Sequence, residues 1–110
     1  MTLSDQKCEV CRTGTPPLSL AESRALAREV PGWALAEKSI EREFGFQDFH
    51  QAIGFVNRVA DLAEQEGHHP DISISYNRVR LKLWTHKIGG LSRNDFILAA
   101  KVDRLAESAG

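Results

Sequence analysis

Apolar residues recur along the chain at two periods, and the switches between them divide it into elements. The clearest stretch begins near Asp48, where Phe49, Ala52, Ile53, Val56, Val59, Ala60 and Ala63 follow i, i+3, i+4, i+7 spacing. Gln51, Asn57, Arg58, Asp61 and Glu64 fall mostly on the other side, so the spacing predicts an amphipathic helix with one apolar stripe. Gly67 is its stop, because the left-handed conformation that closes a helix costs glycine little. Beyond it the period drops to two. Ile72, Ile74 and Tyr76 alternate with Ser73 and Ser75, and past Asn77 the apolar Val79, Leu81 and Leu83 alternate with Arg78, Arg80 and Lys82. That predicts a hairpin with one apolar and one polar face. Upstream, Trp33 and Leu35, then Ile40, Phe44 and Phe46, recur at even spacings and predict another strand pair over 33–38 and 39–46.

Helices flank both hairpins. Ser19 with Glu22 is a capping box that opens a helix running to about Val30, where Pro31 and Gly32 stop it. After Gly89 and Gly90, Ser92 with Asp95 caps a last helix to about Glu107. Phe96, Ile97, Leu98, Ala99, Ala100, Val102 and Leu105 spread around most of that helix, leaving Lys101, Asp103 and Arg104 as its charged positions. A helix apolar on more than one side touches something besides its own sheet. The two readings are a subunit contact and complete burial within the chain. The order αββαββα implies an α+β fold, a two-layer sandwich of a four-stranded antiparallel sheet with three helices on one face. Residues 1–17 read as an irregular arm and 18–110 as a single domain.

The chain has 110 residues, 42% of them hydrophobic, with 14 Lys and Arg against 15 Asp and Glu. A net charge of −1 gives no global basic field for nucleic-acid phosphates, although Arg78, Arg80 and Lys82 form a basic row. No apolar run approaches the roughly 20 residues of a membrane span, and the first residues lack the features of a signal peptide. The expectation is a cytoplasmic protein with no nucleic-acid or membrane partner. Cys8 and Cys11 form a CxxC pair without a second pair to complete a zinc site. It is either a local feature of the arm or a site of intersubunit zinc binding or redox sensing.

Of four histidines, three lie around the second hairpin: His68 and His69, followed by Pro70, open it, and His86 ends it. An antiparallel pair brings its beginning beside its end, so the three can meet at one end of the sheet. Adjacent histidines diverge on either a helix or a strand and do not make a chelating pair, and there is no HExxH, no GxSxG and no phosphate loop. What remains is proton chemistry, since imidazole titrates near neutrality; one ring can remove a proton while another protonates a leaving oxygen. The alternative is that these histidines serve a polar helix-to-strand corner. His50, beside a helix start, reads as solvated.

The pattern Glu64-x3-His68-His69-Pro70-x5-Tyr76-x9-His86-x8-Asp95 resembles the signature of the pterin-4a-carbinolamine dehydratases, also called 4a-hydroxytetrahydrobiopterin dehydratases. Gly32-Trp33, Phe44-x-Phe46-x2-Phe49 and Gly89-Gly90-Leu91-Ser92-x2-Asp95 extend the resemblance over about residues 18–105. It implies a four-stranded antiparallel sheet backed by three helices, in homodimers joined edge to edge or homotetramers. The implied reaction is dehydration of a 4a-hydroxytetrahydropterin to quinonoid dihydropterin, which recycles the cofactor of aromatic amino-acid hydroxylases. The pterin is the substrate, and no cofactor or metal is implied. By motif position His68, His69 and His86 are catalytic, with His69 and His86 sharing the acid and base roles and His68 orienting the ring. Pro70, Thr85, Asp95 and Glu64 are the implied substrate-binding set: Thr85 contacts the pterin edge, Asp95 caps the last helix or orients His86, and Glu64 buffers the histidine pair. Two departures stand out, Gly67 where animal relatives often carry an acid and Ile72 where an aromatic often stands. Other members of the fold act as protein-binding or assembly modules, which is the alternative function.

Overall fold

The computed structural model describes residues 2–9 and 15–109. Helix α1 spans Leu20–Ala27, strand β1 Ala34–Leu35, β2 Ile40–Gly45, helix α2 Phe49–Glu66, β3 Asp71–Ser75, β4 Arg78–Leu83 and helix α3 Arg93–Ala109. The four strands form one antiparallel sheet in the order β1-β2-β4-β3. This is the α+β sandwich that the alternating pattern predicts.

Local chemistry sets the boundaries. The capping box of α1 closes in both directions: Glu22 N–H donates to Ser19 Oγ at 3.1 Å, and Ser19 N–H donates to Glu22 Oε1 at 2.9 Å. Regular helix ends at Ala27 instead of Val30. Glu29 and Val30 bond to carbonyls three residues back, a tighter turn, because the residue before Pro31 is disfavoured in helical geometry. Asp48 caps α2 by accepting Gln51 N–H at 2.8 Å, and Gly67 closes it at φ +66°.

The apolar face of the sheet follows from register. Ile40 lies opposite Leu83, and Phe44 opposite Val79. Leu81 stands between them, opposite Arg42 on β2 and Ile72 on β3. Helix α2 meets this face through Ala52, Phe55, Val59 and Ala63. The expected stripe was rotated. Phe49 and Ala60 are exposed, whereas Phe55, outside the expected stripe, is fully buried. Its ring lies 4.9 Å from Phe44 and 5.0 Å from Phe46, an aromatic cluster that sets the helix's rotation.

One charge stands on the apolar face. Arg42 Nη1 donates to Asp103 Oδ1 at 2.7 Å, Trp33 Nε1 donates to the same oxygen at 2.9 Å, and the guanidinium lies 4.6 Å from the centre of the Phe44 ring. Gly32 makes room for it, since a Cβ there would come within 2.8 Å of Arg42 Nη1. Burial holds the Asp103 carboxyl above its ordinary value, against the opposing pull of Trp33 and Arg42.

Helix α3 corrects the subunit-contact reading. Phe96, Ile97, Leu98, Ala99 and Val102 are all buried within this chain, against α1, α2 and the N-terminal residues. Those residues are packed down. Leu3, in a short 3₁₀ turn Leu3–Asp5, joins the core, and Arg93 Nε donates to Gln6 Oε1 at 2.9 Å. Cys8 N–H donates to Glu66 Oε1 at 3.0 Å, and Glu9 exchanges backbone hydrogen bonds with the Asn94 amide. Burial, then the Glu66 carboxylate, pushes the Cys8 thiol up to about 12. Its CxxC companion Cys11 lies outside the described residues.

Candidate active site

Two adjacent pairs of residues, His68–His69 and Thr85–His86, build the site by the same geometry. Neighbouring side chains diverge, so one member of each pair turns inward and the other outward. The inward members are His68 and Thr85. His68 leaves α2 just after Gly67, and its Nε2 lies 2.6 Å from Asp95 Oδ1. The other carboxylate oxygen, Oδ2, accepts Thr85 Oγ1–H at 3.0 Å and Ser92 N–H at 2.9 Å. Asp95 is fully buried and the His68 side chain is only 11% exposed. A carboxylate can only accept, so His68 Nε2 carries the proton in this bond.

This geometry corrects one expectation and refines another. Asp95 orients His68, not His86. It also serves the helix start, but through the Ser92 N–H; the Ser92 hydroxyl lies 2.7 Å from Thr85 Oγ1. The Thr85 hydroxyl is thus engaged from behind, by Asp95 and Ser92.

The outward members are His69 and His86, with side chains 60% and 59% exposed. His86 stands on a loop closed by paired backbone bonds between Thr85 and Gly90, with Gly89 left-handed at φ +65°. Its ring stacks on Trp84 at a centroid distance of 3.8 Å, and its Nε2 lies 4.0 Å from Asp71 Oδ1. Glu64 reaches His69 Nε2 at 3.7 Å from an exposed position on α2.

A cleft of about 460 Å³ opens between these groups, lined by His68, His69, Pro70, Asp71, Trp84, Thr85 and His86, with Gly67, Lys87, Glu9 and Asn94 at its margin. Of the seven residues expected from the sequence, five line it; Asp95 stands behind and Glu64 beside it. Trp84 and Asp71 went unnoticed in the sequence. Their signal was there: Trp84 breaks the polar alternation of Arg78, Arg80 and Lys82 with a large aromatic. His50 is exposed, as expected. A larger groove, about 820 Å³, lies along Arg42, Asp103 and Arg104, where Arg42 and Asp103 already bond each other.

Other features bear on partners. Among the described residues, no group of three His, Cys, Asp or Glu side chains is gathered for a metal ion. The basic row of β4 lies beside acidic neighbours, with Glu43 opposite Arg80 and Glu41 opposite Lys82. No described helix is long and apolar enough to cross a membrane.

The family profile described as pterin 4 alpha carbinolamine dehydratase matches residues 16–105. The chain belongs to this family. A provisionally named pterin-4-alpha-carbinolamine dehydratase of Rubrobacter xylanophilus is 47% identical over 104 residues, covering 94% of this chain and 97% of its own. One from Nitrosomonas eutropha, also provisionally named, is 49% identical over 104 residues, covering 94% and 92%. Among solved structures, a transcriptional coactivator/pterin dehydratase from Brucella melitensis aligns with a TM-score of 0.78 at 35% identity, over 82% of this chain and 98% of that one. A pterin dehydratase-like RuBisCO assembly factor of the alpha-carboxysome aligns at 0.56 and 25% identity, over 67% and 86%.

Proposed function

We propose that this pterin dehydratase family member dehydrates 4a-hydroxytetrahydropterin to quinonoid dihydropterin, with His69 and His86 exchanging the protons and His68 holding the ring and its hydroxyl. In the elimination the C4a–O bond breaks, the departing oxygen takes a proton and leaves as water, and the proton on the adjacent ring nitrogen is removed as the C=N bond forms. One acid and one base suffice, each contributing on the order of 10²–10⁴ in rate. The pterin is the substrate, so the reaction draws on no cofactor. Once a separate reductase has returned it to the tetrahydropterin, the product serves aromatic amino-acid hydroxylases again, and the protein works in the cytoplasm as a homodimer or homotetramer.

The observation that carries this reading is three imidazoles bordering one open cleft. Its volume of about 460 Å³ falls within the range of roughly 300–1,000 Å³ typical of small-molecule sites. The division of labour follows the difference in setting. His68 is committed to a buried carboxylate, while His69 and His86 stand in the open where a substrate reaches them.

The test is direct turnover of 4a-hydroxytetrahydropterin, followed by ultraviolet absorbance. His69→Ala and His86→Ala should each lower the rate at least tenfold with the melting temperature unchanged. A double variant as fast as the wild type refutes the proton-transfer assignment. The likeness to an assembly factor supports a second reading, a protein-binding module without turnover, and an inactive wild type would favour it.

A further inference from the structure

Two side chains at the open end of the hairpin, Asp71 and Trp84, contact His86 and are left unused by the proton-transfer scheme. Asp71 begins β3 and lies opposite Lys82 on β4. Trp84 is two residues beyond Lys82, so it stands diagonally across from Asp71 on the same face, within reach of a long side chain. The contact is made: Trp84 Nε1 donates to Asp71 Oδ2 at 3.0 Å. The other carboxylate oxygen faces His86 Nε2 at 4.0 Å. The indole and imidazole rings then stack, 3.8 Å between centroids and tilted by 33°.

We propose that Trp84 and Asp71 are positioning residues for His86, the indole fixing the plane of the imidazole and the carboxylate fixing the indole. This deepens the dehydratase reading and rests on it. At 4.0 Å the carboxylate makes no direct hydrogen bond to His86, and the exposed setting screens the attraction between them. The ring therefore depends on stacking for its orientation. Asp71 holds the tryptophan by a charge-assisted bond, which is the stronger kind. His68 is oriented differently, by a direct 2.6 Å bond from Nε2 to the buried Asp95 carboxylate.

The experiment compares wild type, Asp71→Ala, Asp71→Asn and Trp84→Leu by NMR of the resting protein and by steady-state turnover. In the wild type the indole Nε1–H of Trp84 should lie downfield, and the carbon-bound ring protons of His86 should lie upfield through the ring current of the stacked indole. Asp71→Ala should move both toward their free positions. Asp71→Asn, which keeps an acceptor, should retain most of the indole shift. Trp84→Leu should abolish the upfield shift of His86. In turnover, Asp71→Ala and Trp84→Leu should lower kcat at least fivefold while KM changes less than twofold. His86 and indole resonances unmoved in Asp71→Ala overturn the proposal, as does a loss confined to KM. The NMR arm needs no substrate. A wild type that fails to turn over pterin refutes the dehydratase reading, while the His86 resonances still decide the support.

Discussion

Replacing Asp95 tests the centre of the site most severely, because one buried carboxylate holds three donors. Oδ1 takes His68 Nε2–H at 2.6 Å, and Oδ2 takes Thr85 Oγ1–H at 3.0 Å and Ser92 N–H at 2.9 Å. Hydrogen bonds to a charged group are worth roughly 1.5–3 kcal/mol each. Three on one carboxylate do not simply add, and removing one side of a buried pair costs about 3–5 kcal/mol. Asp95→Ala should fall in that range, since it strips His68 and Thr85 of their acceptor in a site water barely reaches and loosens the start of α3. In a domain of this length each kcal/mol moves the melting temperature by about 4 °C, so the expected fall is roughly 12–20 °C. Asp95→Asn should lose only about 1–2 kcal/mol. Its amide oxygen still accepts from Thr85 and Ser92, and its N–H₂ confronts His68 Nε2. The assay is thermal and urea unfolding at neutral pH followed by circular dichroism. In a double-mutant cycle with Thr85→Val, the two losses should fall short of additive. An Asp95→Ala protein that melts within about 2 °C of wild type would refute the network.

Two other predictions concern the body of the domain. Gly32→Ala should destabilise by about 1 kcal/mol by pushing Arg42 off Asp103; in an Arg42→Met background the same change should be neutral or stabilising, and equal losses in both backgrounds would show that Arg42 is not the obstacle. Burial raises the Cys8 thiol to about 12 from an ordinary value near 9, so the folded state keeps a proton that the unfolded state releases between those pH values. Stability should therefore decline as pH rises through that window, less steeply in Cys8→Ala. In a Cys11→Ser background the remaining thiol should react with iodoacetamide at pH 8 only after unfolding, and rapid labelling of the native protein would contradict the burial.

Local rules made most of the architecture readable. The Ser19–Glu22 box and the Gly67 stop each depend on residues within a turn of one another, and each forms as written. The meeting of His68, His69 and His86 was also legible, because antiparallel pairing converts sequence symmetry about Asn77 into proximity. Long-range choices were not. Whether Phe49 or Phe55 faced the sheet depended on Phe44 and Phe46 from another strand. The breadth of α3's apolar surface was visible, but what covered it depended on Leu3, ninety residues away along the chain. Asp95 sits nine residues from His86 and twenty-seven from His68, so sequence distance suggested the wrong partner. Turning Thr85 inward toward Asp95 is what sends His86 outward to Asp71 and Trp84.

The family profile begins at residue 16, yet Glu9 helps to line the cleft and is gripped by Asn94, the residue before Asp95. A protein trimmed to residue 16 would lose Glu9 from the edge of the cleft and the Leu3 cover of α3 in the same cut. A substitution at Glu9 would alter the cleft's edge while leaving its three histidines in place.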